Sequence, residues 1–259
     1  VKGRLQFSTH GRGQVWLDDV RVAVQLRPQM IPPAKAKVYP VALAAATIAV
    51  DGLQEEWREA PRADVRAAYA VSQAEAIIMD KEDSKGSDDL SFSFAARHDS
   101  ARLFLMIAVR DDVRKTVRPY WQGDSIQFAL DTTFGRSKKG FGAGDYAIGV
   151  VLKGTGAKGV IERKPKTSSL TASHIEVACE TSRSGYTVEL AIPWRHLLKA
   201  PPKHNQRMGF SIIVNDNDGG GRKWAEWTPG IAREKRPAQY GTLLFLSQGN
   251  IGLCLDAPA

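Results

Sequence analysis

The chain has 259 residues, 43% of them hydrophobic and 25% charged, which supplies enough apolar side chain for a substantial core. Its 36 Lys and Arg outnumber 28 Asp and Glu for a formal net charge of +8, a balance that attracts polyanions such as nucleic acid, acidic polysaccharide or a membrane surface. No apolar run reaches the ~20 residues that a spanning helix needs, and two cysteines, Cys179 and Cys254, are too few for a disulfide framework.

Residues 1–26 form a block of their own. "GRLQFSTHGRGQVWLDDVRVAV" reads as two strands around the turn Gly11-Arg12-Gly13, a β-hairpin. A hairpin alone is marginal, so the block either completes a larger sheet or ends a preceding domain. It has no apolar leader, as expected of a processed or excised piece. Residues 27–44 carry Pro28, Pro32, Pro33 and Pro40 and read as an extended linker. The main domain is expected over 45–248, with a tail at 249–259.

Strand signals then repeat through "LSFSFAARHD", "RLFLMIAVRDD", "DSIQFALD", "DYAIGVVLKG", "SHIEVACETS", "GYTVELAIPW", "RMGFSIIVND" and "YGTLLFLS". Gly, Asp, Asn or Pro punctuates nearly every gap. Many short strands at this spacing predict an all-β fold, an antiparallel β-sandwich of jelly-roll or immunoglobulin-like type. Helix is confined to turns at Glu55 to Glu59, Ala74 to Met79 and His196 to Lys199. Basic residues cluster from Arg136 to Lys166, including Lys153, Lys158, Arg163 and Lys164. That stretch is either a field for polyanions or a solvated loop.

In "RPYWQGDSIQFALD" the turn Gln122-Gly123-Asp124 launches a strand with Ile126, Phe128 and Leu130 on one face and Gln127 and Ala129 on the other. Tyr120 and Trp121 precede the part of the strand that a core would hold. They either pack at a strand end or present a platform to a ligand.

The ordered phrases "IAVDGLQEEWREAP", "RLFLMIAVRDD", "WQGDSIQFALD", "GYTVELAIPW", "MGFSIIVNDND", "WTP" and "YGTLLF" resemble a family-9 carbohydrate-binding module, a DOMON-like β-sandwich. Upstream, "GQVWLDDVRV" resembles the last strand of a jelly-roll carbohydrate-binding module. The resemblance implies a non-catalytic accessory domain of a secreted or cell-surface, multi-domain polysaccharide-active protein. Its partners would be a polysaccharide or oligosaccharide and the catalytic domain of the same parent chain.

In the family, a sugar lies between two tryptophans ringed by polar side chains. A pyranose stacks its C–H face on an aromatic ring, while its hydroxyls need planar hydrogen-bond partners. Trp121 falls on the first wall. The second wall falls on Glu234, the acidic position after "DS" is Gln127, and the positions of an arginine and an asparagine become Ala147 and Gly149. Two outcomes stay open. A different sugar is gripped by Trp121, Tyr120, Gln127 and Trp224 with the basic residues Arg222, Lys223, Arg233, Lys235 and Arg236, which favour an acidic or sulfated glycan. Alternatively, the domain is a structural spacer or interaction domain that has lost sugar binding.

The resemblance also implies structural calcium, with Asp111, Asp124 and Asp131 as ligand candidates at strand ends and Asp112 beside them. Asn215, Asp216 and Asp218 form a second cluster. It is not an EF-hand, because Trp227 stands where the closing glutamate belongs. Catalysis is not expected: His10, His98, His174, His196 and His204 share no metal-ligand spacing or nucleophile motif. Nor is haem, since Met106 lies within an apolar strand and Met79 and Met208 have no evident axial histidine. Nucleic acid rests on charge alone, and no membrane association is read.

Overall fold

The computed structural model describes residues 37–58, 89–219, 221–232 and 235–247, together with the backbone of 69–71 and 77–78. The hairpin at 1–26, most of the linker, Cys254 and the tail lie outside the described residues. Thirteen strands carry the fold. They are β1 (Val38–Leu43), β2 (Tyr69–Val71), β3 (Ile77–Ile78), β4 (Leu90–His98), β5 (Arg102–Asp111), β6 (Ser125–Asp131) and β7 (Asp145–Lys153). After them come β8 (Gly156–Arg163), β9 (Glu176–Ser182), β10 (Gly185–Pro193), β11 (Arg207–Asp216), β12 (Lys223–Glu226) and β13 (Gly241–Phe245). No helix among the described residues is long and apolar enough to cross a membrane.

The strands form two layers, as the alternating pattern predicts. One runs β8-β7-β6-β11-β13 and the other β4-β5-β10-β9. Inward residues of both layers meet in one core, where the Phe94 ring on β4 lies 5.5 Å from Phe210 on β11 and 5.2 Å from Trp227. Pairing among the described strands is antiparallel except at β1, which is parallel to β13 over Val38–Val41 and to β4 over Ala42 and Leu43. It passes from one sheet to the other.

That strand corrects the expected linker of 27–44. Tyr39 and Val41 are buried in the core, so a period of two was present beneath the prolines. Pro40 is tolerated because β1 has only β13 as a neighbour at that point, the situation of an edge strand. A second correction concerns the basic stretch. "GAKGVIER" is strand β8, with Ala157 and Ile161 packed against the core. The first helical turn forms as α1 (Glu55–Arg58), whereas in 74–79 the residues Ile77–Ile78 pair with β12 as strand. The third forms as α2 (Trp194–Leu197), two residues early, directly after Pro193 closes β10.

Residues 44 to 58 cross the outer face of the second layer and make a satellite core. Ile48 and Trp57 pack there on Ala95, Phe104, Met106 and Ala191. Gly52 makes the bend with a positive φ of 89° and so close to β9 that a Cβ would stand 2.7 Å from the Glu180 amide. Glu189 anchors the segment. It sits between the inward Val188 and Leu190, faces outward beneath the strap, and is 1% exposed. Its carboxylate accepts the backbone N–H of Asp51 at 3.0 Å and of Gly52 at 2.8 Å, and the indole N–H of Trp57. Burial raises its pKa.

Removing a carboxylate that satisfies two buried donors and one part-buried donor leaves all three without this partner. Glu189→Ala is expected to lower the unfolding free energy by about 2–4 kcal/mol in urea denaturation. A loss within about 0.5 kcal/mol of zero would mean that apolar packing alone holds the strap.

Candidate functional site

The stretch before β6 folds as a single 3-10 turn, Tyr120–Gln122. Gln122 N–H reaches Pro119 O at 3.0 Å and Gly123 N–H reaches Tyr120 O at 3.1 Å. The Ser125 hydroxyl, the first of β6, lies against the carbonyls of Tyr120 and Gly123. The turn splits its two aromatics. Trp121 is 39% exposed, one of the few large apolar side chains left open to solvent. Tyr120 instead lies flat over β7 at Gly149, where a Cβ would stand 2.0 Å from the phenol oxygen. The missing side chain at Gly149 is therefore the seat of Tyr120.

A continuous polar network runs beneath Trp121. The phenol of Tyr120 and the amide N–H of Gln127 both donate to Glu162 Oε1 on β8. Gln127 Oε1 accepts from Asn215 Nδ2 at 3.2 Å, and that amide also meets Ser125 Oγ at 3.0 Å. Asn215 Oδ1 takes two N–H groups of Arg222, from Nε at 2.8 Å and Nη2 at 2.6 Å. The guanidinium so held lies 4.6 Å from the Trp224 ring centre and 5.9 Å from that of Trp121, cation–π distances. Together Tyr120, Trp121, Gln127, Glu162, Arg222, Ala232 and Lys235 line a cavity of about 450 Å³. Burial lowers the pKa of both Arg222 and Lys235, the latter against the opposing pull of Glu162. Burial and Glu162 raise that of the Tyr120 phenol.

Such a cavity pairs an exposed aromatic face with planar amide, carboxylate and guanidinium groups at its rim. That combination suits a ligand with an apolar ring face and equatorial polar groups. Five of the residues singled out in the sequence, Trp121, Tyr120, Gln127, Arg222 and Lys235, meet there. Trp224 does not line it: it is 4% exposed, packs with Ala129, Ile213, Ile231 and Tyr240, and offers its ring to Arg222. Arg233 and Glu234 lie outside the described residues. Lys223 turns away, its ammonium 3.2 Å from Asp218 and 3.5 Å from Asp89. The sequence reading missed Glu162, because the strand that carries it was taken for loop. The cavity wall is itself braced: Glu226, buried, accepts N–H from Ile231 at 2.7 Å and from Ala232 at 3.2 Å.

On the other side of the same strands lies an acidic cluster. Ile126, Val214 and Val109 point into the core, so by strand alternation Asp124, Asp216 and Asp111 continue those inward columns at one end of the sandwich. Their carboxylate oxygens lie within 4.8 Å of one another, and overlapping groups add Asp89, Asp112 and Asp218. The pKa values of Asp111, Asp124 and Asp216 are all pushed up to about 7, by burial first and by the neighbouring carboxylates. Asp216 is 1% exposed, and neither of its oxygens has a hydrogen-bond partner. Hard oxygen donors in this state fit a divalent cation such as calcium. Asp131 is no part of the cluster. It lies an odd number of residues from Asp124 at the far end of β6, where its carboxylate caps a turn through Thr133, Gly135 and Arg136.

The two-layer fold is that of a β-sandwich with known relatives. Residues 62–247 match the carbohydrate family 9 binding domain-like family, so the chain belongs to that family of binding, non-catalytic modules. A family-9 carbohydrate-binding module from Caldicellulosiruptor kristjanssonii, solved with cellotriose, has a TM-score of 0.63 at 16% identity, covering 86% of this chain and 100% of that one. The module solved with glucose gives 0.62 at 16%, covering 82% and 98%. A protein of Bacteroides uniformis described as carbohydrate-binding gives 0.53 at 16%, covering 82% and 100%. No curated protein matches.

Burial raises the Glu226 pKa to about 7, above the 4.5 of an ordinary glutamate, although the two backbone N–H groups oppose it. The folded protein therefore holds a proton that the unfolded chain has already lost between those values, and stability falls as pH rises through that window. Glu226→Gln is expected to gain on the wild type from pH 4.5 to pH 7.5, by on the order of 2–3 kcal/mol in urea denaturation at each pH. A difference that does not change with pH would remove this assignment.

Proposed function

We propose that the Trp121 cavity binds a glycan, stacking a sugar ring on the exposed indole while Glu162, Gln127, Arg222 and Lys235 meet its polar groups. The observation that carries this reading is the pairing of an exposed Trp121 with a guanidinium held 5.9 Å from its ring centre in a cavity of about 450 Å³. Two cations against one carboxylate at the rim favour a ligand bearing carboxylate or sulfate. The family supports a role as accessory module of a secreted polysaccharide-active protein, with a catalytic domain elsewhere in the parent chain. The aspartate cluster is proposed to hold structural calcium through Asp111, Asp124 and Asp216, supplying the positive charge that the buried carboxylates lack.

Affinity gel electrophoresis against neutral, uronate-containing and sulfated polysaccharides tests the glycan reading. Trp121→Ala is expected to abolish retardation, a loss of at least about tenfold in affinity. Arg222→Gln is expected to weaken acidic ligands selectively, and added salt to do the same. If no polysaccharide slows the protein, the spacer role takes its place.

For the cation, calcium is expected to raise Tm by on the order of 5 °C over chelator. Asp216→Asn is expected to lose that response and to be at least as stable as the wild type in chelator, because it removes a repelled buried charge. A calcium response retained by Asp216→Asn would place the ion elsewhere.

A further inference from the structure

We propose that cation occupancy of the aspartate cluster controls the order of the Trp121 turn and of Arg222, so that the cavity is formed in a cation-dependent way. The proposal rests on the glycan and cation readings above and adds the connection between them. Two adjacent pairs of residues make that connection. Asp124 and Ser125 are neighbours at the start of β6, and Asn215 and Asp216 are neighbours at the end of β11. In each pair the aspartate turns into the sandwich and its neighbour turns out to the cavity network.

Asp124 is the hub. One oxygen accepts the Lys115 N–H and the other accepts the Asn217 N–H at 2.9 Å, while its own N–H reaches Lys115 O at 3.0 Å. The loop after β5 and the turn after β11 thus meet at a single carboxylate, on the residue that the Trp121 turn leads into. The Asn217 side chain carries the connection onward. Its Nδ2 donates to Gln122 O at 2.6 Å, the carbonyl beside Trp121, and its Oδ1 accepts the Gly219 N–H at 2.9 Å. Arg222, on the same connection, is held by Asn215 next to Asp216. With no cation, ionised Asp111, Asp124 and Asp216 repel one another at close range. The repulsion is relieved by parting the segments that carry them. A cation draws the carboxylates together and so favours the arrangement in which Gln122 and Arg222 are held. The coupling runs through contiguous hydrogen bonds and must be reciprocal.

Amide hydrogen exchange on the whole chain, with and without calcium, decides the matter beside an Asn217→Ala variant. That change keeps every aspartate and the backbone bond to Asp124 but removes the side-chain links to Gln122 and Gly219. Calcium is expected to slow exchange about tenfold at 119–124 and 217–222 in the wild type. In Asn217→Ala, calcium is expected to bind with similar affinity, measured by calorimetry, while the slowing at 119–124 is lost. Titration with cellotriose and with an oligouronate is expected to give about five- to tenfold tighter binding in calcium than in chelator for the wild type, and no difference for the variant. Slowing confined to 111–116 and 216–218, or no calcium binding at all, overturns the proposal, as does equal glycan affinity in both states. If exchange at 119–124 responds and neither sugar binds in either state, the glycan reading falls and the control of the turn by the cation stands.

Discussion

A carboxylate cannot stay charged in a hydrocarbon core unless something positive or a set of N–H donors answers it, and this sandwich places several where that rule bites hardest. Along most of its length the two sheets are joined by aromatic and aliphatic side chains. At one end the inward columns of β5, β6 and β11 change from Val109, Ile126 and Val214 to Asp111, Asp124 and Asp216. Hydrocarbon contact stops there, and electrostatics takes over the joining of the layers. The raised pKa values of these three residues express that shortage of positive charge. The loops that line the cavity are rooted in the same place, tied to Asp124 and to Gln122 by Asn217.

The cavity is built around an absent side chain. Gly149 removes bulk from the middle of β7, and Tyr120 fills the space with a phenol that reaches Glu162. Arg222 is held against Trp224 and 5.9 Å from the Trp121 ring centre by Asn215, an arrangement that fixes a planar cation where a flexible one would have to be ordered on binding. The buried Trp224 is a support for the guanidinium, and only Trp121 is left as a platform.

The layers were legible in the sequence because alternation of apolar residues is a local signal, present in β4, β5, β6, β7, β10 and β11 alike. Trp121 was legible through its place in the "WxxDS" phrase, and Asp111 and Asp124 through their positions at strand ends. What stayed hidden was set by partners far away in the chain. Trp224 reads as a surface aromatic among basic residues until Ile213 and Tyr240 are seen to enclose it. Asp131 looks equivalent to Asp124, and only the parity of the strand sends the two to different places. Strand β8, with its two glycines and its lysine, has too few apolar residues to announce itself, so Glu162 went with it.

Strand β1 has a further consequence. Among the described residues it is the one strand paired with both sheets, parallel to β13 on one and to β4 on the other. Composition would begin the domain at residue 45, and the family match begins at residue 62. A fragment cut at either point would leave the Thr242–Phe245 side of β13 with bare backbone donors and acceptors, and β4 open at Arg97 and His98, the kind of edge on which chains join one another. Hydrogen-bond closure of the two sheets therefore takes in Val38–Leu43, one strand earlier than sequence likeness draws the boundary.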